Sequence, residues 1–380
     1  MKKTLIALAA VAATSAAFAQ SSVTVFGVVD AAYNTKSWKA DGGIKAKGTG
    51  VVDGALAGSR FGFRGVEDLG GGLKAEFMIE QGLSPTSAGL TNARTASSGF
   101  QIDGATTGLT GRSSTSLNRQ SFLGVSGGFG TVRLGYQYTN VYELATLSGY
   151  HAGAEGVHGA DFAHVAGNGY VGGTRANAIT YISPKFGGFT AQFQYGAGTG
   201  LQSFEHNTTL TDNQFEAKRT SIMGKYAAGP LSVALAYTAH KNGTSAPGPS
   251  KPATVTANLT QLGASYDFGM AKVGFTYNTG DNDIASKTSY RELDAYSLSA
   301  SVPFGSTSLV VAYHDIDEKD GNGAKITDGS GYQFGVVHSL SKRTAAYAFY
   351  GRNKFNTISS PAALTNLKQT DITVGVRHSF

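Results

Sequence analysis

The last ten residues, Asp371-Ile372-Thr373-Val374-Gly375-Val376-Arg377-His378-Ser379-Phe380, decide the fold. Ile372, Val374, Val376, His378 and Phe380 alternate with Asp371, Thr373, Gly375, Arg377 and Ser379. That is the two-residue period of a β-strand with one apolar and one polar face. The same period runs through the start of the chain, where Val23, Val25, Gly27, Val29, Ala31 and Tyr33 alternate with a face carrying Thr24 and Asp30. It recurs where Leu73, Ala75, Phe77 and Ile79 alternate with Lys74, Glu76, Met78 and Glu80. No amphipathic helix of ordinary length competes with these strands.

Composition narrows the class. Charged residues make up 15% of the 380, against roughly 25% in an ordinary soluble chain. Glycine contributes 52 residues, tyrosine 18 and phenylalanine 21, with one Trp and no Cys. Outside the first twenty residues no apolar run is long enough to span a bilayer as a helix, which takes about 18 or more residues. An apolar fraction of 41% with evenly spread aromatics argues against disorder. The net charge of +6 is dispersed among the strands with no basic cluster, so no nucleic-acid partner is expected. Residues 1–19 read as a signal peptide: Lys2 and Lys3 precede an apolar stretch that ends in Ala17-Phe18-Ala19. Residues 20–380 then form one domain.

The connections come in two sizes. Short turns rich in Gly or Pro sit at residues 68–72, 127–130, 183–188, 227–230, 267–269, 303–305 and 341–343. Longer polar stretches alternate with them at residues 34–57, 82–117, 139–174, 198–212, 241–253, 279–291, 318–327 and 355–367. Seven turns and eight loops require sixteen strands. An even number of antiparallel strands, with short turns at one end and long loops at the other, is the pattern of an outer-membrane β-barrel. In hydrocarbon every backbone N–H and C=O needs an internal partner, so the sheet must close. The polar strand faces then need water, and sixteen strands leave a lumen wide enough to hold it. A soluble propeller or sandwich lacks this alternation of short and long connections.

Four segments carry a family likeness: SRFGFRGVEDLGGGLKAEFMIE (59–80), NRQSFLGVSGGFGTVRLGYQY (118–138), YISPKFGGFTAQFQYGAG (181–198) and the terminal VGVRHSF (374–380). Together they resemble the general porins of Gram-negative bacteria, most of all the beta-proteobacterial and neisserial type. The resemblance implies a homotrimer in the outer membrane, short turns on the periplasmic side, and a third long loop folded into each barrel. It implies passive diffusion of small hydrophilic solutes and ions, with no covalent chemistry, no metal and no cofactor. Phe380 is similar to the terminal signal read by the barrel-insertion machinery, and outer-membrane lipid and lipopolysaccharide are the expected surroundings.

By their places in these motifs, Arg60, Arg119 and Arg175 resemble the family's basic wall, and parity puts Arg64 on the face of Arg60. Such a cluster stays charged near pH 7 and favours anions. Tyr136 stands where the family type commonly has a further Arg, which weakens that expectation. Arg133, just after a turn, is expected at the periplasmic rim. Lys74, Glu76 and Glu80 should line the lumen as a mixed-sign ladder. Glu143, Glu155 and Asp161 of the third loop are candidates to face the arginines. His151, His158 and His164 lie among them, but no strand or helix period brings these together, so no metal site is expected. Residues 315–323, DIDEKDGNG, loosely resemble a calcium loop whose spacing is off by one and whose twelfth position is Ile326. They leave room only for a loose divalent or lipopolysaccharide-bridging site.

Two other classes fail on the same page. A barrel hydrolase needs a nucleophile beside a His. His240 and His338 sit near strand ends without one, and His314 and Asp315, as neighbours on a strand, point to opposite faces. A ligand-specific channel or adhesin would show aromatic tracks or one very large loop domain. Only Tyr136, Tyr138 and Tyr142 hint at a greasy patch.

Overall fold

The structure is a computed structural model that describes residues 22–43, 45–86, 119–148, 175–197, 218–243, 254–284, 290–358 and 364–380. The proposed signal peptide, Glu155, Asp161 and the three loop histidines lie outside the described residues. The strands run in chain order: β1 (Ser22–Lys39), β2 (Lys45–Asp53), β3 (Arg60–Gly70), β4 (Leu73–Gly82), β5 (Gln120–Gly127) and β6 (Gly130–Tyr138). A short helix, α1 (Asn140–Ala145), follows. Then come β7 (Arg175–Ile182), β8 (Phe189–Ala197), β9 (Lys218–Ala228), β10 (Leu231–Gly243), β11 (Thr254–Asp267) and β12 (Lys272–Ile284). β13 (Arg291–Phe304), β14 (Thr307–Asp320), β15 (Lys325–Ser339), β16 (Thr344–Ile358) and β17 (Leu364–Ser379) complete the wall. No described helix is long and apolar enough to cross a membrane.

These seventeen segments make sixteen staves, because β2 and β3 share one. β1 pairs with β2 from Ala31↔Asp53 upward and with β3 from Val28↔Arg60 downward. Each remaining segment pairs antiparallel with its neighbours in sequence. β17 returns to β1 in register from Val28↔Ser379 to Lys39↔Lys368, and Gly27 and Phe380 exchange both backbone hydrogen bonds at 3.1 Å. The sheet therefore closes on itself at β1 and β17, which is the condition for burying its backbone in lipid.

Sidedness follows the alternation in the sequence. Val23, Val25, Ile372, Val374 and Val376 are all at least half exposed on the outer face, where lipid replaces water. On the inner face Asp30, Asn34, Asp371 and Thr373 are buried in contacts with one another's neighbourhood, Asn34 Nδ2 donating to Asp371 Oδ1 at 2.8 Å and to Thr373 Oγ1 at 2.7 Å. Two aromatic belts frame the apolar band. Phe129, Phe186, Phe268 and Phe304 project at the short turns, and Tyr237, Tyr296, Tyr313 and Tyr332 project toward the loop end. On β13, Tyr296 and Phe304 are about 27 Å apart along the strand at ~3.4 Å per residue. A tilt of ~40° reduces that to about 21 Å of height, close to the ~25 Å band of an outer-membrane barrel.

All seven short turns lie at their expected positions, while several long connections are shorter than the polar composition suggests. β14 and β15 continue to Asp320 and Lys325, so residues 318–327 hold a tight turn. There Asp320 Oδ1 accepts from Asn322 N (2.9 Å) and Ala324 N (2.8 Å), and Gly323 takes φ +80°. β1 and β2 likewise extend through most of residues 34–57. Polar strand ribbons rising beyond the membrane look like loops when composition alone is read.

The seam makes a steric demand on Gly27. A Cβ there would lie 2.2 Å from the Phe380 ring and 2.8 Å from the Arg60 carbonyl oxygen. The ring can swing, but the carbonyl belongs to the sheet. Gly27→Ala is expected to destabilise the folded barrel by about 1–3 kcal/mol. The change is read as a lower urea midpoint in detergent micelles, followed through the single tryptophan, Trp38; an unchanged midpoint would mean that the seam absorbs the methyl group.

Candidate functional site

Register carries the inward parity from strand to strand. Arg60, Gly62 and Arg64 share one face of β3, and Gly62 lies opposite Glu80. Glu76 lies opposite Gly124, which lies opposite Arg133. These residues turn inward because their neighbours Phe63, Ile79, Leu123 and Leu134 take the outer face.

One chain of contacts joins three of the four candidate arginines. Glu80, 4% exposed, receives Arg119 Nε at 2.6 Å on one carboxylate oxygen and faces Arg60 Nε at 3.4 Å on the other. Arg119 Nη2 donates to the Tyr138 hydroxyl at 2.7 Å. Arg175 Nη2 donates to the same hydroxyl at 3.2 Å, with its guanidinium 4.7 Å from the Tyr138 ring centroid. The Tyr138 and Tyr142 rings stack at 4.0 Å with a 9° interplanar angle. Among the described residues this chain of contacts links three guanidiniums through the Glu80 carboxylate and the Tyr138 hydroxyl. Arg64 stands apart, exposed over the Phe26 ring at 5.4 Å.

The contacts add detail to these expectations. Arg119 immediately precedes β5, and its side chain is buried against Glu80. Arg133 is no simple rim charge, since its Nε meets Glu76 Oε1 at 2.6 Å on the lumen wall and its guanidinium covers Phe122 at 4.8 Å. Among the described residues, Glu76 and Glu80 of β4, from the wall itself, pair directly with arginines. Lys74 is exposed near the periplasmic turns.

The described start of the third loop does fold inward. Thr139 caps α1, its hydroxyl accepting from Tyr142 N at 3.4 Å. Leu144 and Leu147 pack with Met223, Ala234 and Ala236 on the inner wall of β9 and β10. Val141 joins Leu259, Leu293 and Ile316 further round. Asn140 Nδ2 donates to Ser221 Oγ at 2.9 Å. An apolar patch on a luminal face is the sequence signal that seats a loop inside a barrel, and alternation alone hides it. Gly263 completes the seat: a Cβ there would come within 3.0 Å of Leu144.

Glu143 projects from α1 beside Gln192, whose Nε2 donates at 3.4 Å. Burial pushes its carboxyl above the ordinary glutamate range, against the opposing pull of the Gln192 hydrogen bond and of Arg133 and Lys225. Among the described residues no group of three or more His, Asp and Glu is placed to hold a metal. In the turn that resembled a calcium loop, Asp317 is already engaged by Lys319 at 3.3 Å and Lys325 at 3.8 Å.

Known proteins share this sequence and architecture. A family model described as Gram-negative porin matches residues 5–357. Outer membrane porin protein 32 of Delftia acidovorans is 33% identical over 410 residues, spanning 100% of both chains. Major outer membrane protein P.IB of Neisseria gonorrhoeae is 30% identical over 238 residues, 60% of this chain and 59% of its own. Among solved structures, the anion-selective porin from Comamonas acidovorans matches at TM-score 0.72 and 27% identity, covering 95% of this chain and 100% of its own.

Glu80 and Glu143 should respond oppositely to the same change. Glu80→Gln strips the carboxylate from Arg119, whose side chain is only 7% exposed, and should cost about 3 kcal/mol or more as a broken buried pair. Its urea midpoint at pH 7 should fall clearly. Glu143 has a raised folded pKa, so its ionisation opposes folding: that stability is full below the unfolded pKa and lost as pH rises through the folded one. Glu143→Gln should therefore raise the midpoint at pH 7, with the gain vanishing on acidification below the ordinary carboxylate range. A pH-independent difference would refute the linkage.

Proposed function

The chain belongs to the Gram-negative porin family, and from that premise we propose that its outer-membrane channel prefers anions through the guanidinium groups of Arg60, Arg119 and Arg175. Passage through an outer-membrane porin is passive diffusion of small hydrophilic solutes along a water-filled lumen, and selectivity follows from lining charge and width. The observation that carries the reading is the convergence of three guanidiniums along one contact chain: Arg60 and Arg119 meet at Glu80, and Arg119 and Arg175 meet at the Tyr138 hydroxyl. Guanidinium cannot lose its proton near neutral pH, so the positive charge of these three groups is permanent. A lumen walled by low-dielectric protein focuses that field and raises the local anion concentration. The solved relative from Comamonas acidovorans is itself described as anion-selective, which agrees in sign.

The preference is moderate rather than strong. Arg133 is matched by Glu76, Tyr136 supplies no charge, and Glu143 projects into the lumen from α1. Glu155 and Asp161 belong to the same loop and add to the acidic side. The working unit is a homotrimer set in outer-membrane lipid and lipopolysaccharide, exported by residues 1–19 and inserted through recognition of the strand that ends in Phe380.

Planar-bilayer recordings test the reading. The wild-type protein should insert in steps of three conductance units, with a reversal potential in a KCl gradient of anion-preferring sign. Arg60→Ser with Arg119→Ser should move that potential toward cations, the more so because Glu80 then stands uncompensated, while trimers still form. An unmoved reversal potential would remove these arginines from the selectivity mechanism.

A further inference from the structure

The second stave contains an interruption that sequence alternation does not predict. Above it Asp53 lies opposite Ala31, and below it Arg60 lies opposite Val28. Six residues, 54–59, therefore face only Val29 and Asp30, four more than a regular strand would place there. The surplus folds into the lumen. Ala55 is 2% exposed and packs with Ala32, Tyr347 and Phe349 on the inner wall of β1 and β16. Gly54 starts the departure at φ +71°. Gly375 makes room for the arrangement, because a Cβ there would meet the Tyr347 hydroxyl at 2.3 Å and the Ala32 methyl at 2.7 Å.

A single carboxylate gathers the segment. Asp30 Oδ2 accepts from Leu56 N at 3.0 Å and Ala57 N at 2.7 Å, and Oδ1 accepts from the Tyr347 hydroxyl. Its backbone takes part too: Asp30 O accepts from Gly54 N and from Ser59 Oγ, each at 3.1 Å, and Asp30 N donates to Ser59 Oγ at 2.9 Å. Asp30 and Ser59 are wholly buried. The far side of the segment meets the arginines. Gly58 O accepts from Arg60 Nη1 at 2.7 Å, and a Cβ on Gly58 would sit 3.1 Å from Arg119 Nη1.

We infer that Asp30 is a positioning residue for conduction: its carboxylate clasps residues 54–59 against the inner wall, and the clasped segment both narrows the lumen and sets the places of Arg60 and Arg119. The chain thus carries a constricting element built from its own wall, additional to the third loop. Residues 54–59 occupy space that a regular stave would leave to water, which gives an effect on aperture. They also supply the surface on which two guanidiniums rest, which gives an effect on selectivity. The selectivity arm rests on the anion-preferring reading above; the aperture arm does not.

Two variants release the segment and one disturbs only its far side. Asp30→Ala removes the clasp. Deleting residues 55–58 leaves Gly54 and Ser59 opposite Val29 and Asp30, which restores two-against-two pairing. Gly58→Val keeps the clasp and pushes Arg119 aside. In planar bilayers Asp30→Ala and the deletion should each raise the conductance per trimer step and reduce the anion preference. Gly58→Val should reduce the preference without raising conductance. A folded deletion variant with wild-type conductance would overturn the aperture claim, whatever becomes of Asp30→Ala. An Asp30→Ala channel with a lower urea midpoint but wild-type conductance and reversal potential would reduce Asp30 to a structural part. If the wild type proves not to prefer anions, the anion reading fails while the conductance comparison still decides the clasp.

Discussion

The whole molecule depends on the cost of an unpaired backbone amide in hydrocarbon, several kcal/mol for each group left without a partner. A sheet in lipid therefore has one stable outcome, which is to run until it meets its own beginning. Once β17 pairs with β1, side-chain chemistry is free to differ on the two sides. Valine and isoleucine go outward to lipid, and asparagine, glutamine, threonine and arginine go inward. With 15% charged residues the inner face is polar mostly through neutral groups, so the few charges it carries have a large share of the local field.

Around Glu80 and Tyr138 the charged groups are held in one chain of contacts. Glu80 divides itself between Arg60 and Arg119, and Tyr138 divides its hydroxyl between Arg119 and Arg175. Sharing fixes long side chains in place, and so lowers the entropy each would otherwise lose when a solute passes. The same sharing reduces net charge. The site balances orientation against field strength.

Alternation and turn chemistry were sufficient for the architecture. The short turns, the stave number, the outward valines of β1 and β17 and the inward parity of Arg60, Arg64, Glu76 and Glu80 are all local properties. Helices, interruptions and inner contacts were not legible in this way. The inward fold of residues 54–59 depends on Asp30 meeting Tyr347 across the seam, partners 317 positions apart in sequence. The seat for α1 is spread over alanines, a methionine and a glycine on three strands, each unremarkable alone. The pairing of Arg133 with Glu76 was hidden because distance from a turn says little about whether a neighbouring strand offers a carboxylate. Strand ribbons beyond the membrane were hidden by their polar, loop-like composition.

The seam has a consequence for biogenesis. Its two sides are the first strand and the very last residues, so the sequence separation across it is nearly the entire chain. Neighbouring hairpins can zip as soon as they emerge, but the loop-closure step must wait for Phe380. A chain cut between β1 and β17 keeps two bare strand edges, and such edges recruit other chains. The cylinder is thereby all or none: only a chain that carries both β1 and β17 can withdraw its hydrogen-bonding rims from the surroundings.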